Sequence, residues 1–223
     1  MPSAALRATV LLTRPQPDSE RFAALLPEDV PVVISPILRI QPVLHDADRL
    51  ARAPGLVFTS AHAVGSAGPG RGRPALCVGP RTAALARQAG FEVTEGSGDA
   101  QGLLPLIAAA DLPLIHPHGR HVAQVLPVEG MVVYDQLPVP LSDHALRLLA
   151  GPAPVVVPLF SPRSARLLSL ALPPVLAAPL RLAPISESAL SEWLGPLALS
   201  RLAGRPDAEG VRNAVIHLLS PQD

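Results

Sequence analysis

Short apolar, β-branched runs alternate with short helix-like stretches along almost the whole chain, and few architectures accept that rhythm. Strands are expected over residues 9–12, 30–34, 56–59, 75–78, 91–93, 114–115, 131–134, 155–157 and 180–185, with a last one in 196–202. Between them the sequence predicts a helix capped by Asp18 with Phe22, Leu25 and Leu26 on one face, and a helix over 81–89 ended by Gly90. Further helices are expected from Asp99 to 110, over 119–126, 144–150, 161–170 and 187–194, and from Asp207 to 219. Connections of about 2–6 residues between alternating strands and helices argue for parallel sheets covered by helices on both faces. Roughly ten strands are many for one sheet, so two small doubly wound sheets are expected. The apolar, proline-flanked stretches 37–43 (ILRIQPV) and 137–141 (LPVPL) are the candidate linkers. A chain crossing at both places 1–36 with 142–223 in a discontinuous first domain and 37–141 in a second.

Composition removes several functions. The 223 residues carry 18 basic and 18 acidic side chains, so no basic footprint for nucleic acid is present. Every basic residue is arginine, which excludes lysine Schiff-base chemistry and the phosphate-binding lysine of a P-loop. One cysteine, Cys77, excludes an internal disulfide and a cysteine-rich zinc site, and its strand position predicts burial. No stretch reaches the roughly 20 apolar residues of a membrane-spanning helix, and the run 8–13 is short for a signal peptide. A soluble, cytoplasmic protein with no membrane partner is expected.

Ligands of open parallel sheets lie beyond the carboxyl ends of the strands. Those ends share a chemistry here: Thr13-Arg14-Pro15, Thr59-Ser60-Ala61-His62, Gly79-Pro80-Arg81-Thr82, His118-Gly119-Arg120, Ser161-Pro162-Arg163 and Ser186-Glu187-Ser188. Small and hydroxyl residues there serve as helix caps in any protein. Their recurrence beside arginines also suits a polyanion, because helix N-termini offer free N–H groups and guanidinium groups clamp carboxylates. His116 and His118 share one face of an extended segment, with His121 nearby, but no carboxylate or cysteine ligand accompanies them, so no metal is expected. Trp193 and Phe160 read as core. Tyr134, the single tyrosine, is expected at the end of its strand, either as a rim residue or as a general acid.

Taken together, these segments resemble the uroporphyrinogen-III synthase family. The resemblance is carried by TVLLTRPQPDSERFAALL, SPILRIQPV, LVFTSAHAV, CVGPRTAALARQAGFEV, HGRHVAQVLPVEGMVVYDQLPVP, FSPRSARLL, ISESAL and RPDAEGVRNAV, in that order. It implies an α/β fold of two flavodoxin-like parallel-sheet domains joined by a two-stranded linker, the first domain discontinuous. It implies a substrate, hydroxymethylbilane, that is a linear tetrapyrrole polycarboxylate, closed to uroporphyrinogen III with loss of water and inversion of the last ring. It also implies no metal or cofactor, a monomer, and transient contact with the preceding deaminase. Carried onto this chain, Ser60 and His62 match the family's T-S-x-R turn, with histidine where arginine is frequent. Thr82 matches its V-G-x-x-T-A turn, Gly119 and Arg120 its glycine-arginine turn, Ser161 its F-S-P segment, and Ser186 and Ser188 its last cleft turn. Arg14 joins these as a substrate-binding candidate from its place after the first strand. Tyr134 matches the tyrosine of the V-Y pair, the family's candidate general acid. The alternatives are a non-catalytic tetrapyrrole- or anion-binding homologue and an unrelated α/β binding protein for a phosphorylated or carboxylated metabolite. Gly65, Gly68, Pro69 and Gly70 predict that the helix after Ser60 is cut short.

Overall fold

The computed structural model describes residues 7–122 and 124–219. Residues 1–6 and 220–223 of the expected first domain, and Ala123 of the expected 119–126 helix, lie outside them. In chain order the elements are β1 (Thr9–Leu12), α1 (Gln16–Ala23), β2 (Val32–Ile34), β3 (Leu38–Pro42), α2 (Ala47–Arg52), β4 (Gly55–Phe58), a 3-10 helix (Ala61–Ala67) and β5 (Pro74–Cys77). There follow α3 (Pro80–Gln88), β6 (Glu92–Glu95), a 3-10 turn (Gln101–Leu103), α4 (Leu104–Ala108), β7 (Leu114–Gly119) and β8 (Glu129–Pro138). The chain continues with α5 (Asp143–Ala150), β9 (Val155–Leu159), α6 (Pro162–Ala171), β10 (Leu180–Pro184), α7 (Glu187–Ser191), β11 (Leu199–Ser200) and α8 (Ala208–Leu219).

The fold is α/β with parallel sheets, and the chain forms two compact units. One is the chain up to Arg39 and from Pro138 onward; the other is Ile40–Leu137. The first unit holds a five-stranded sheet, β11-β10-β9-β1-β2, with parallel ladders. Alternation sorts its strand residues between two cores. Leu11, Val155 and Val157 bury against Ala145 and Leu149 of α5 and Ala165 and Leu168 of α6. Val10, Leu12 and Val156 bury against Phe22 of α1 and Val211, Ala214 and Val215 of α8.

The six-stranded sheet has the order β3-β8-β7-β4-β5-β6, with parallel ladders from β8 through β6. Leu56, Phe58, Ala75 and Cys77 bury on one face with Ala83 and Ala86 of α3. Val57 and Leu114 bury on the other with Leu103 and Leu126. The α3 helix ends where Gly90 takes φ +86°, a conformation costly for a side chain, and the Phe91 N–H returns to the Ala86 carbonyl at 3.0 Å.

Several expectations are corrected. Asp18 is not the cap of α1: Pro15 stands there, and Pro17 lies in the first turn with φ already set for a helix. Asp18 is instead buried and paired with Arg14 and Arg21. Leu25 lies beyond α1 and is exposed, while Phe22 and Leu26 are buried. The 119–126 helix is absent from its described residues: Gly119 ends β7, and a non-helical segment leads to β8. Of its described apolar residues only Leu126 is buried, Val122 and Val125 being exposed, so these do not form a face that rewards a helix. Tyr134 lies mid-strand, because β8 runs on past the end of β7 to Pro138. The last strand is only Leu199–Ser200. Trp193 and Phe160 are half-buried against the cores, and Asp46 caps a helix, α2, that the alternation did not reveal. No helix among the described residues is long and apolar enough to cross a membrane.

Candidate functional site

In the six-stranded unit, the carboxyl ends of the adjacent strands β7, β4 and β5 gather most of the expected residues, with Tyr134 of β8 level with the end of β7. Ser60 follows β4 and caps the 3-10 helix, its Oγ accepting from the His62 N–H at 3.3 Å. That helix stops at Gly68, as the glycine-proline cluster demands. His62 presents its ring to Tyr134 in an edge-to-face contact, 5.9 Å between centroids. Thr82 is buried in the first turn of α3, which packs against the 3-10 helix carrying His62.

Gly119 pairs directly with Tyr134 across the β7–β8 ladder. The Arg120 N–H donates to the Tyr134 carbonyl at 2.9 Å, and Arg120 Nε donates to Asp135 Oδ2 at 2.9 Å. Partial burial of Asp135 alone would raise its carboxyl pKa. The Gln136 N–H and the Arg120 guanidinium outweigh that and hold it below the usual carboxylate value. Tyr134 is buried among Phe58, Ala63, Val64 and Val133, yet its hydroxyl has no hydrogen-bond partner among the described residues.

On the other face of β7 lies a pair that the sequence marked only by its spacing. His116 is buried and lies 2.8 Å from Thr59 Oγ1 through Nε2. Its ring stands 4.8 Å from that of His118, whose Nδ1 donates to the Gly119 carbonyl at 2.7 Å. Burial, reinforced by His118, pushes the His116 pKa down to about 4, so the imidazole is neutral at pH 7. No group of three or more metal-ligating side chains is present among the described residues. Burial pushes the Cys77 thiol up to about 11, which leaves it a core residue and not a nucleophile.

In the five-stranded unit, Arg14, Ser161 and Ser186 follow the adjacent strands β1, β9 and β10. The Arg14 guanidinium lies over the Phe160 ring at 4.3 Å and 3.9 Å from Asp18. Ser161 caps α6, accepting from the Ser164 N–H at 3.2 Å, with the two hydroxyls 2.8 Å apart. Ser186 caps α7 through the Ala189 N–H at 3.2 Å, and its hydroxyl meets that of Ser188 at 2.9 Å. Helix capping therefore accounts for Ser60, Ser161 and Ser186 as local structure.

The family model for uroporphyrinogen-III synthase HemD matches residues 22–189. The chain belongs to the uroporphyrinogen-III synthase family. Two solved members share its fold. The uroporphyrinogen-III synthetase of Helicobacter pylori superposes with a TM-score of 0.66 at 14% identity, over 96% of this chain and 100% of that one. A mutant uroporphyrinogen III synthase from the extremely thermophilic bacterium Thermus thermophilus gives 0.51 at 17% identity, over 92% and 97%. At such identities the likeness is one of fold. No curated protein matches the sequence at a significant level.

Family membership gives the strand-end residues a common context, but the contacts are this chain's own. Asp135 as the partner of Arg120, and Thr59 as the partner of His116, escaped the sequence reading. Both pairings join residues far apart in sequence, and only the order of strands brings them together.

Proposed function

We propose that the chain is a uroporphyrinogen-III synthase, a cyclising hydro-lyase that closes hydroxymethylbilane to uroporphyrinogen III with inversion of the last ring. The observation that carries this reading is the family match over residues 22–189. Its support in the geometry is a buried phenol, Tyr134, whose hydroxyl bonds to no described residue, flanked by His62, Gly119 and Arg120 at the end of β7. The reading takes the units as two flavodoxin-like domains, 1–36 with 142–223 and 37–141, joined through 37–43 and 137–141. It takes the protein as a cytoplasmic monomer supplied by the preceding deaminase.

In this reading Arg14, Ser161, Ser186 and Ser188, with Ser60, His62, Thr82, Gly119 and Arg120, bind the substrate, and the charged and N–H groups among them hold its carboxylates. Holding the linear chain curled brings its two ends into reach, which replaces a search in solution by a positioned encounter. Tyr134 gives its proton, directly or through water, to the departing terminal hydroxyl, which leaves as water and creates an electrophilic azafulvene. The last ring attacks through its substituted carbon, and the resulting spiro intermediate fragments and recloses inverted. The ring proton lost at closure restores the phenol, so the sum is loss of one water.

Isomer analysis tests the proposal. Hydroxymethylbilane is generated in place by a deaminase, the protein is added, and the oxidised uroporphyrins are separated. Dominant isomer III is expected. Isomer I alone, with folded protein, overturns the synthase reading and leaves a tetrapyrrole- or anion-binding homologue, which would bind the product without turnover.

A further inference from the structure

The ladder between β7 and β8 is irregular at one point. Pro117 pairs with Met131 and His118 with Val132, but Gly119 pairs with Tyr134, so Val133 is passed over. Such a bulge inserts one residue and re-aims the next side chain, and it is rare between parallel strands. Its effect here is visible in burial. Successive strand residues normally point to opposite faces. Yet Val133 and Tyr134 bury in the same cluster, with Phe58 and Ile115, and Met131 packs against it. Without the bulge, Tyr134 would fall on the face of Val132 and the His116–His118 pair. With it, the ring turns to the opposite face and lies across Gly119. A Cβ on Gly119 would stand 2.6 Å from Tyr134 Cε2, 2.7 Å from Cζ and 3.0 Å from the hydroxyl oxygen. No side chain fits at 119 while the phenol stays where it is.

We propose that Gly119, together with the bulge at Val133, is the positioning device for the Tyr134 hydroxyl: the bulge selects the face, and the missing side chain sets how closely the phenol lies on β7. The inference rests on the synthase reading given above. A methyl at 119 pushes the hydroxyl end of the ring away from β7, and a misplacement of about 1 Å can cost about a hundredfold in rate.

The test is a double-mutant cycle with a spectroscopic arm. Tyr134 is the single tyrosine, so ring-labelled tyrosine gives one resonance set that needs no assignment. Gly119→Ala is expected to shift that resonance and to lower kcat for isomer III by about tenfold or more. In a Tyr134→Phe background the same glycine change should lower kcat by a clearly smaller factor. An unshifted resonance, or an equal loss of kcat in both backgrounds, overturns the proposal. If Gly119→Ala melts before the assay temperature, Gly119→Ala/Tyr134→Leu is measured, and recovery of the melting temperature is expected because the clash is with the ring. Failure to recover overturns the proposal, because the glycine would then serve the backbone. A parent that forms only isomer I overturns the synthase reading and the catalytic purpose of the device with it. A shifted resonance in that protein would still separate that failure from a misread Gly119–Tyr134 packing.

Discussion

The imidazole of His62 meets the phenol of Tyr134 edge to face, 5.9 Å between ring centroids, so the ring of the proposed acid is held by contacts that do not use its hydroxyl. Tyr134→Phe keeps those contacts and removes only the proton donor. Turnover to isomer III should fall by about a hundredfold, the lower range for loss of a general acid. The melting temperature should move little, since the hydroxyl bonds to no described residue. Steady-state rates beside a thermal melt check both halves, and undiminished turnover would remove Tyr134 as the acid.

Ser161→Ala separates capping from catalysis. The hydroxyl accepts from the Ser164 N–H and meets the Ser164 hydroxyl, so its loss uncovers the first turn of α6. A cost of about 1 kcal/mol in unfolding free energy is expected. Turnover should fall far less than in Tyr134→Phe. A loss as large as that of Tyr134→Phe would place Ser161 in the chemistry itself.

Arg73 is a structural rivet in the six-stranded unit. Its guanidinium donates to the carbonyls of Leu50, Ala53, Ala67, Pro69 and Gly70 and lies 5.1 Å from the centre of the Phe91 ring. Lysine cannot reproduce that planar fork. Arg73→Ala leaves several carbonyls without their charged donor, and a loss of about 2–3 kcal/mol is expected. Arg73→Lys should recover less than half of it, read as the shift in urea midpoint at constant slope.

How much of this was legible in the sequence depended on how local the cause was. The runs around Val155–Leu159 and Leu180–Pro184 read as buried parallel strands because β-branched and apolar residues crowd both faces. Caps at Ser60, Ser161, Ser186 and Asp207 were legible because each acts within three residues of itself. Asp18 misled because a proline turn starts the helix before it. The 119–126 stretch misled because its apolar spacing is helical while, of its described apolar residues, only Leu126 is buried. The bulge at Val133 and the pairing of Arg120 with Asp135 depend on inter-strand register, which no local pattern encodes. The residue types of the candidate site were therefore readable, and its geometry was not.

Burial and the adjacent His118 ring push His116 from 6.5 down to about 4, while its Nε2 stays with Thr59. An unfolded chain takes up the proton near the unperturbed value, so between those two pH values the unfolded state binds more protons than the folded one. Stability is therefore full above about pH 6.5 and declines as pH falls toward 4, by about 3 kcal/mol across the window. Asp135, held below its usual value by Gln136 and Arg120 against the opposing effect of burial, adds a slope of the same sign at the acid end of that window, which the His116 variant leaves in place. Denaturant midpoints at about pH 4.5 and about pH 7.5 should therefore differ clearly in the parent. In His116→Gln the difference should shrink by most of that amount. An unchanged pH dependence in the variant would mean that His116 takes up its proton over the same pH range folded and unfolded, so that burial does not depress it.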